Sequence, residues 1–211
     1  DESGEIVGFD VDLAKEVAER LDVEITFQPI DWAMKETELA SGNIDMIWNG
    51  YTITEERKEK VLFSEPYLSN SQIIVTMADS DIETKADLAG KVVATQQGSA
   101  AFDAIIADET GIAAVFDGGT PILYPTFNDV FNDLESGRSD AIVVDEVLGR
   151  YTMKLKGEEK FAVLTDNFGD EEYGVGLRKE DVALKEAIDA TMNDMREDGT
   201  YDEIYAKWFA E

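Results

Sequence analysis

The alternation of short apolar runs with amphipathic stretches constrains the fold more than any other feature of this sequence. Leu13, Val17 and Leu21 recur every four residues, which is typical of a helix that buries one face. Helices and strands then alternate in two blocks, one before about residue 71 and one between about residues 74 and 166. Because parallel strands need a crossover that is usually a helix, this order predicts an α/β fold with parallel sheets.

The same patterns place the individual elements. We predict strands over residues 23–28, 44–48, 61–63, 71–77, 91–96, 122–124, 141–144, 161–164 and 173–177. We predict a first helix capped by Asp10 or its neighbour, further helices over residues 32–41, 99–108, 127–135, 146–154 and 182–196, and a short last helix after Gly199. The acidic segment 166–172 lacks the spacing of an EF-hand, so we predict a solvated loop there rather than a calcium site.

Composition excludes several kinds of function. The 211 residues include 18 basic and 47 acidic side chains, and a net charge of −29 repels nucleic acid and disfavours self-association. The absence of cysteine excludes disulfides, and the absence of histidine excludes His-ligated metals and a Ser-His-Asp triad. These counts argue against a hydrolase and a transition-metal enzyme and favour a monomer, so we expect a chain that is not an enzyme and has no metal and no cofactor.

The segment that follows the predicted strand at residues 44–48 is a candidate binding turn. A turn in this position presents N–H groups and hydroxyls where α/β folds bind ligands, and an Arg five residues beyond Thr52 can grip a carboxylate. On local pattern alone, a charged surface helix capped by Thr54, with a solvated Arg57, is the commoner arrangement. The candidate residues of this segment are Asn49, Gly50, Tyr51, Thr52 and Arg57.

Two further turns follow predicted strands. Ser99 and Ala100 begin a predicted helix just after Gln96, and the N-terminus of a helix offers N–H groups that hold an anion. Asp145 ends a buried strand, where an acid can pair with an ammonium group. In isolation each turn is more commonly a simple helix cap, and Asp145 and Glu146 are too close in sequence to cooperate as an acid/base pair.

Eight stretches along nearly the whole chain carry a family resemblance. They are GEIVGFDVDLA (4–14), GNIDM (42–46), TITEER (52–57), FSEPY (63–67), DLAGK (87–91), GRSDA (137–141), YGVGLRK (173–179) and DGTYDEIYAKWF (198–209). In this order they resemble the polar amino-acid-binding proteins of bacterial ABC importers, which are the family 3 solute-binding proteins. Each stretch is weak alone, whereas the ordered set is specific.

The resemblance implies a two-lobed periplasmic-binding-protein-like fold of type II, with two parallel-sheet lobes joined by two hinge strands. Lobe 1 would comprise residues 1–72 and 171–211, and lobe 2 residues 73–170. The implied function is capture of a free polar amino acid between the lobes and its delivery to the membrane permease of an ABC importer. The implied location is extracytoplasmic, in the periplasm or lipid-anchored on the outer face of the cell membrane, with the signal sequence already removed.

The resemblance also implies roles for single residues. Arg57 would grip the α-carboxylate of the ligand, and Asp145 would take its α-ammonium. The Thr52 hydroxyl and the Gly50 backbone would hold the ammonium or the carboxylate, and the turn at residues 98–100 would donate to the carboxylate. The other candidates around the ligand are Trp32, Tyr51, Gln96 and Asn49. Because these motifs place no second cation there, we expect a neutral or cationic ligand rather than glutamate, unless Lys35 contributes.

The same fold allows two other functions. One is the ligand-sensing domain of a receptor, and the other is an enzyme resembling cyclohexadienyl dehydratases, which would lack the ammonium-binding acid that Asp145 supplies here. The chain also departs from the family, because it begins too late to contain the strand and loop that normally precede the first helix. If that strand is missing, we expect an exposed apolar edge or pairing with another chain.

Overall fold

The computed structural model describes residues 5–209, which divide into two compact units. Within that range, unit 1 comprises the residues up to Ile30, Met34–Leu68 and the residues from Glu172 onward. Unit 2 comprises Asp31–Ala33 and Ser69–Glu171. Apart from the short segment Asp31–Ala33, the chain therefore passes from unit 1 to unit 2 between residues 68 and 69 and returns between residues 171 and 172.

Both units are built from short strands and helices of moderate length. The helices are α1 (Phe9–Arg20), α2 (Lys35–Ala40), α3 (Glu55–Lys60), α4 (Ala100–Ala107), α5 (Phe127–Glu135), α6 (Glu146–Lys156), α7 (Val182–Asp198) and α8 (Thr200–Phe209). The strands are β1 (Met46–Ile47), β2 (Leu62–Phe63), β3 (Leu68–Met77), β4 (Val93–Gln96), β5 (Ile122–Tyr124), β6 (Ala141–Asp145), β7 (Phe161–Tyr173) and β8 (Gly176–Leu177). The predicted helices and most predicted strands are confirmed, although β1 is shorter than expected.

The described sheet of unit 1 has the strand order β1-β8-β2. β8 is antiparallel to both neighbours, with Gly176 opposite Ile47 on one side and opposite Phe63 on the other. β1 and β2 are consequently parallel to each other, as expected for strands joined by a helical crossover, here α3. The pairings differ from the predicted parallel sheet because a strand from much later in the chain lies between β1 and β2.

The strand predicted over residues 23–28 is wrong. The segment has no strand assignment, and Val23 is exposed while Ile25 and Phe27 are partly buried. A strand exists only when its N–H and C=O groups pair with a neighbour. None of residues 5–209 pairs with this segment in a ladder, so its alternating pattern does not produce a strand.

Helix α1 packs its apolar face into unit 1 and lies against the last helix. Leu13 and Val17 are buried, and the ring of Phe9 packs on Phe209 with 5.0 Å between ring centroids. The predicted cap is wrong, because Gly8 occupies the N-cap position and Asp10 lies one residue inside the helix. The Asp10 carboxylate instead contacts a distant turn, which is described below.

Unit 2 contains a five-stranded sheet with the order β5-β4-β6-β3-β7. β4 is parallel to both β5 and β6, whereas β3 is antiparallel to β6. Both faces are covered, because Ile74 and Val143 belong to one buried cluster while Ile73 and Val144 belong to another. A sheet that is buried on both faces has apolar strands rather than alternating ones, and these four residues follow that rule.

The solvated loop predicted over residues 166–172 is also wrong, because the whole segment belongs to the 13-residue strand β7. β7 runs beside β3, and Ser71 Oγ donates to Asp170 Oδ1 over 3.0 Å. Long-range pairing thus overrides the local preference of an acidic stretch for a loop. Residues 5–209 contain no group of three or more His, Cys, Asp or Glu side chains arranged to hold a metal ion.

None of the helices in the described part of the chain combines the length and the apolar character that a membrane crossing requires.

Candidate functional site

The candidate turn of unit 1 is fixed by backbone pairing with the segment that leads into β8. Thr52 forms an antiparallel bridge with Tyr173. The N–H of Gly174 donates to the carbonyl of Tyr51 over 3.0 Å, and the N–H of Ile53 donates to the carbonyl of Glu172 over 2.9 Å. Main-chain bonds on both sides of Thr52 therefore hold this turn in one conformation.

Arg57 is buried beneath this turn rather than solvated. The residue is only 4% exposed, and its Nη1 donates to the carbonyl oxygen of Thr52 over 3.0 Å. Its guanidinium carbon lies 4.7 Å from the centroid of the Tyr51 ring, in a cation–π arrangement. The Thr54 cap is confirmed, because its Oγ1 accepts a bond from the N–H of Arg57, but the expectation of a solvated Arg57 is wrong.

Tyr51 supports the guanidinium from inside unit 1. Its ring is fully buried and stacks on Phe63, and its hydroxyl donates to Glu36 Oε1 over 3.0 Å. Burial, followed by the charge of Glu36, raises the pKa of Tyr51 far above its usual range, so the phenol stays neutral. A Cβ at Gly176 would lie 2.7 Å from the Tyr51 ring, so the ring needs a glycine at that position.

The remaining candidates of unit 1 differ in their exposure. Asn49 is exposed, and Gly50 is partly buried with a φ of +55°, a conformation that favours glycine. The N–H of Gly50 donates to Asp10 Oδ2 over 2.7 Å. Lys35 is buried, with its Nζ 3.4 Å from Glu36 Oε1, so its charge is paired within unit 1.

In unit 2, Ser99 forms the predicted cap of α4. Its Oγ accepts from the N–H of Phe102 over 3.2 Å and donates to the carbonyl of Gln96 over 2.8 Å. The Gln96 side chain is engaged as well, since its Nε2 donates to the carbonyl of Pro125 over 2.9 Å. Ala100 is the first residue of α4, so its N–H belongs to the helix end that has no acceptor within the helix.

Asp145 is the last residue of β6, which lies next to β4 and parallel to it in the same sheet. It occupies the N-cap position of α6, yet its side chain forms no capping hydrogen bond. Its Oδ1 instead accepts a hydrogen bond from Nε2 of Gln72, a side chain that is almost completely buried. The helix-cap interpretation therefore describes the position of Asp145 but not what its carboxylate contacts.

Three polar residues that sequence reasoning missed form a hydrogen-bonded network that includes this carboxylate. Gln72 Nε2 also donates to Glu171 Oε1 over 2.8 Å, and Asn70 Nδ2 donates to the same oxygen over 2.6 Å. Asn70 Oδ1 in turn accepts from the N–H of Val147 over 3.2 Å. A signal was present in the sequence, because Asn70 and Gln72 are polar and two positions apart in a strand that continues as apolar.

The structure thus places the predicted residues in two sets on different units. The unit 1 set consists of Asn49, Gly50, Tyr51, Thr52 and Arg57, and the unit 2 set consists of Gln96, Ser99, Ala100 and Asp145. Trp32 is partly buried in a short 3-10 turn whose residues 31–33 group with unit 2. One set contains a buried guanidinium and the other contains a carboxylate that accepts a hydrogen bond from a side-chain amide, both within a protein of the α/β class.

Comparison with known proteins agrees with this class. The family model for bacterial extracellular solute-binding proteins, family 3, matches residues 1–211. The ABC transporter glutamine-binding protein GlnH of Bacillus subtilis is 33% identical over 214 residues, which cover 99% of this chain and 75% of that protein. The chain belongs to family 3 of the bacterial extracellular solute-binding proteins.

Solved structures show the same relationship. An ABC uptake transporter substrate-binding protein from Streptococcus pneumoniae with bound histidine has a TM-score of 0.97 and 38% identity, over 100% of this chain and 86% of that one. An ancestral arginine-binding protein bound to arginine has a TM-score of 0.90 and 39% identity, over 100% of this chain and 91% of that one. The predicted family, the two-lobed fold class and the prediction that the chain is not an enzyme are confirmed.

Proposed function

We propose that this protein captures a free polar amino acid and delivers it to the membrane permease of an ABC importer. One observation carries the proposal: the Arg57 guanidinium is shielded from solvent by Tyr51 and fixed by the Thr52 carbonyl. A guanidinium that is held in one orientation away from solvent can form two parallel hydrogen bonds to a carboxylate, which is the strongest pairing of this kind.

The α-carboxylate of the amino acid is assigned to Arg57. The N–H groups at the start of α4, around Ser99 and Ala100, would donate to the same carboxylate, because the N-terminus of a helix favours an anion. Ser99 uses its own hydroxyl to cap the helix, so its contribution would come from the main chain.

The α-ammonium is assigned to Asp145, which Gln72 holds in place. Thr52 and Gly50 would supply further acceptors from unit 1. The Gly50 N–H already donates to Asp10, so the main-chain group that Gly50 offers a ligand is its carbonyl oxygen. Of the two roles predicted for the Gly50 backbone, binding the ammonium is therefore favoured.

The side chain of the ligand is proposed to be neutral or cationic. Glu171 adds a second carboxylate near Asp145, and both accept from the same Gln72 amide. Lys35, the cation that could favour an acidic ligand, is paired with Glu36. The relatives are consistent with this preference, because solved neighbours contain histidine, arginine or glutamine.

We further propose that the protein acts as an extracytoplasmic monomer, with release of the amino acid to the permease. Family membership places it outside the cytoplasm, while free or lipid-anchored attachment is part of the proposal. A ligand that contacts both sets of residues would favour a closed state, because only that state makes all the contacts.

Isothermal titration calorimetry with a panel of the free amino acids tests this function. We expect heat with one or more polar, neutral or cationic members, and none with glutamate or aspartate. A double variant, Arg57→Ala with Asp145→Ala, should give no heat. Arg150→Ala with Glu146→Gln is the matched control, since these two residues pair with each other on α6 and should leave binding intact.

Two outcomes would contradict the proposal. The first is a folded wild-type protein that gives no heat with any amino acid but turns over a cyclohexadienyl acid, which would favour the dehydratase. The second is equal binding by the double variant and the wild type, which would place the site elsewhere.

A further inference from the structure

Asp10 lies in the first turn of α1 and contacts the binding turn of unit 1. Its Oδ2 accepts the hydrogen bond from the N–H of Gly50, with 2.7 Å between the two atoms. The Tyr67 hydroxyl faces the same carboxylate. Although Asp10 as a residue is partly exposed, its Oδ1 is closed to solvent and makes no well-formed hydrogen bond within residues 5–209. The carboxylate is therefore directed at the Gly50 peptide rather than at water.

The Gly50 peptide is confined on its other side as well. A Cβ at this position would lie 3.2 Å from Cζ of the Tyr173 ring, and the φ of +55° favours glycine. Asp10 holds the peptide that links Asn49 to Gly50, and the Tyr173 ring crowds the α-carbon of Gly50, so little conformational freedom is left to this residue. The direction of the Gly50 carbonyl follows from the conformation of Gly50, which the bond to Asp10 helps to hold.

We propose that Asp10 is a positioning residue for the amino-acid ammonium group, because its carboxylate holds the N–H of Gly50 and so keeps this residue in the conformation that presents its carbonyl to the ligand. Hydrogen bonds to an ionised acceptor are about twice as strong as neutral ones, so the ionised carboxylate holds Gly50 more firmly. This inference rests on the proposed function, since it requires that the Gly50 carbonyl contacts the ligand.

The environment of Asp10 makes this role sensitive to pH. Burial raises the pKa of Asp10 to about 6, against the hydrogen bonds from Gly50 and Tyr67, which lower it. The carboxylate is therefore ionised at neutral pH and protonated near pH 5. Since the ionised form is the stronger acceptor, ligand affinity should be complete above about pH 7 and should fall as the pH drops through 6.

The groups that face Asp10 do not titrate in this range. Burial raises the pKa values of the phenols of Tyr67 and Tyr201, so both stay neutral. The guanidinium of Arg196 lies over the Tyr201 ring, 5.3 Å from its centroid. The chain has no histidine, so no imidazole titrates between pH 5 and 7.

Asp12 provides a matched control on the same helix. It accepts from Lys207 and Trp208 at the surface and has no hydrogen bond to the binding turn. Burial opposes its ionisation, but the bonds from Lys207 and Trp208 outweigh burial and lower its pKa. Asp12→Asn therefore removes one negative charge from α1 without removing a group that titrates near pH 6.

The test compares Asp10→Asn, Asp12→Asn and the wild type by calorimetry with L-arginine, L-glutamine and L-histidine. We expect the wild type and Asp12→Asn to lose about three- to tenfold in affinity between about pH 7.5 and pH 5. We expect Asp10→Asn to bind about three- to tenfold more weakly than the wild type at pH 7.5. Between pH 7.5 and pH 5 its affinity should not show the additional loss that the wild type shows. Taking the ratio of variant to wild type cancels any titration of the amino acid itself.

Two results separate failure of this inference from failure of the proposed function. If Asp10→Asn matches Asp12→Asn in both affinity and pH profile, the inference is overturned while the proposed function stands. If the wild type binds none of the panel amino acids, the proposed function fails first. If Asp10→Asn does not fold, the inference is tested in the ¹⁵N-labelled wild type by the amide resonance of Gly50. The chemical shift of this resonance should change with a midpoint near pH 6. A resonance that does not change with pH would overturn the inference.

Discussion

The two sets of candidate residues hold opposite charges by different means. In unit 1, Arg57 is fixed by a backbone carbonyl, an aromatic ring and the cap of its own helix, all within six residues along the chain. In unit 2, Asp145 is fixed by the side-chain amide of Gln72, 73 residues away. A guanidinium can therefore be prepared locally, whereas this carboxylate depends on strands that the fold brings together.

This difference has an energetic consequence. A backbone carbonyl cannot be removed by substitution, so the support of Arg57 resists mutation except at Tyr51, Thr54 and Arg57 itself. The support of Asp145 is made of side chains, and each of them can be removed separately. We therefore expect a single substitution in the unit 1 set to abolish ligand binding, whereas successive substitutions around Asp145 should lower the affinity by smaller amounts.

The largest effect is expected for Arg57→Ala. The α-carboxylate would lose its cation while still being desolvated, which costs about 3–5 kcal/mol and reduces affinity by more than about 100-fold. Calorimetry with L-arginine, L-glutamine and L-histidine measures the loss. Arg150→Ala, an exposed arginine on α6, should bind like the wild type. Micromolar binding retained by Arg57→Ala would refute the assignment.

The next effect is expected for Asp145→Ala. Removing this acid leaves the ligand ammonium without its main partner, and we expect a loss of about 3 kcal/mol, somewhat less than for Arg57 because Glu171 remains nearby. The same titrations measure it, with Glu146→Gln as the neighbouring control. Should Asp145→Ala lose no more affinity than Glu146→Gln, the ammonium must be bound by another group.

Residues with local contacts were also easier to predict from the sequence than residues whose contacts lie far along the chain. Arg57, Thr52 and Thr54 lie within one short motif, so the family resemblance singled out Arg57 and Thr52 and the local pattern singled out Thr54 as a cap, although that pattern alone favoured a solvated Arg57. The burial of Arg57 could not be predicted, because it depends on the Tyr51 ring, and that ring needs Gly176 from a strand more than a hundred residues later.

Asn70 and Gln72 left a signal in the sequence, whereas the place of Glu171 in the network around Asp145 could not be predicted, for a related reason. Glu171 lies in a segment that is acidic and locally resembles a loop, and only pairing along β3 makes it part of β7. Residues 23–28 show the opposite error, since their alternation resembles a strand but none of residues 5–209 pairs with them. In both cases the local sequence pattern predicted the wrong structure, because the presence or absence of a pairing strand decided it.

A smaller effect is expected for Gln72→Leu. The substitution keeps the size of the side chain in β3 but replaces the amide from which both carboxylates accept a hydrogen bond with an apolar group, so Asp145 loses the contact that orients it. We expect affinity to fall by about 1–2 kcal/mol, or roughly five- to thirtyfold. Ser71→Ala, on the adjacent position of β3, removes an exposed hydrogen bond to Asp170 and should change affinity little. Equal effects of the two substitutions would mean that Gln72 supports the strand rather than the site.

The smallest effects are expected from the loss of two helix caps, and these substitutions test the difference between the two units most directly. Thr54→Ala and Ser99→Ala each remove an N-cap hydroxyl, so each should lower the free energy of unfolding by about 1 kcal/mol in urea titrations. Their effects on affinity should differ, because the Thr54 cap bonds the N–H of Arg57 itself, whereas the Ser99 hydroxyl bonds Phe102 and Gln96. We expect Thr54→Ala to weaken binding a few-fold and Ser99→Ala to leave it nearly unchanged.

Thr126→Ala is the control for cap loss alone, since Thr126 caps α5 and belongs to neither set. If Ser99→Ala weakens binding more than Thr54→Ala at equal loss of stability, the serine hydroxyl itself contacts the ligand. Unit 2 would then contribute a locally prepared donor, and the contrast between a locally built cation site and an anion site assembled from distant strands would no longer hold.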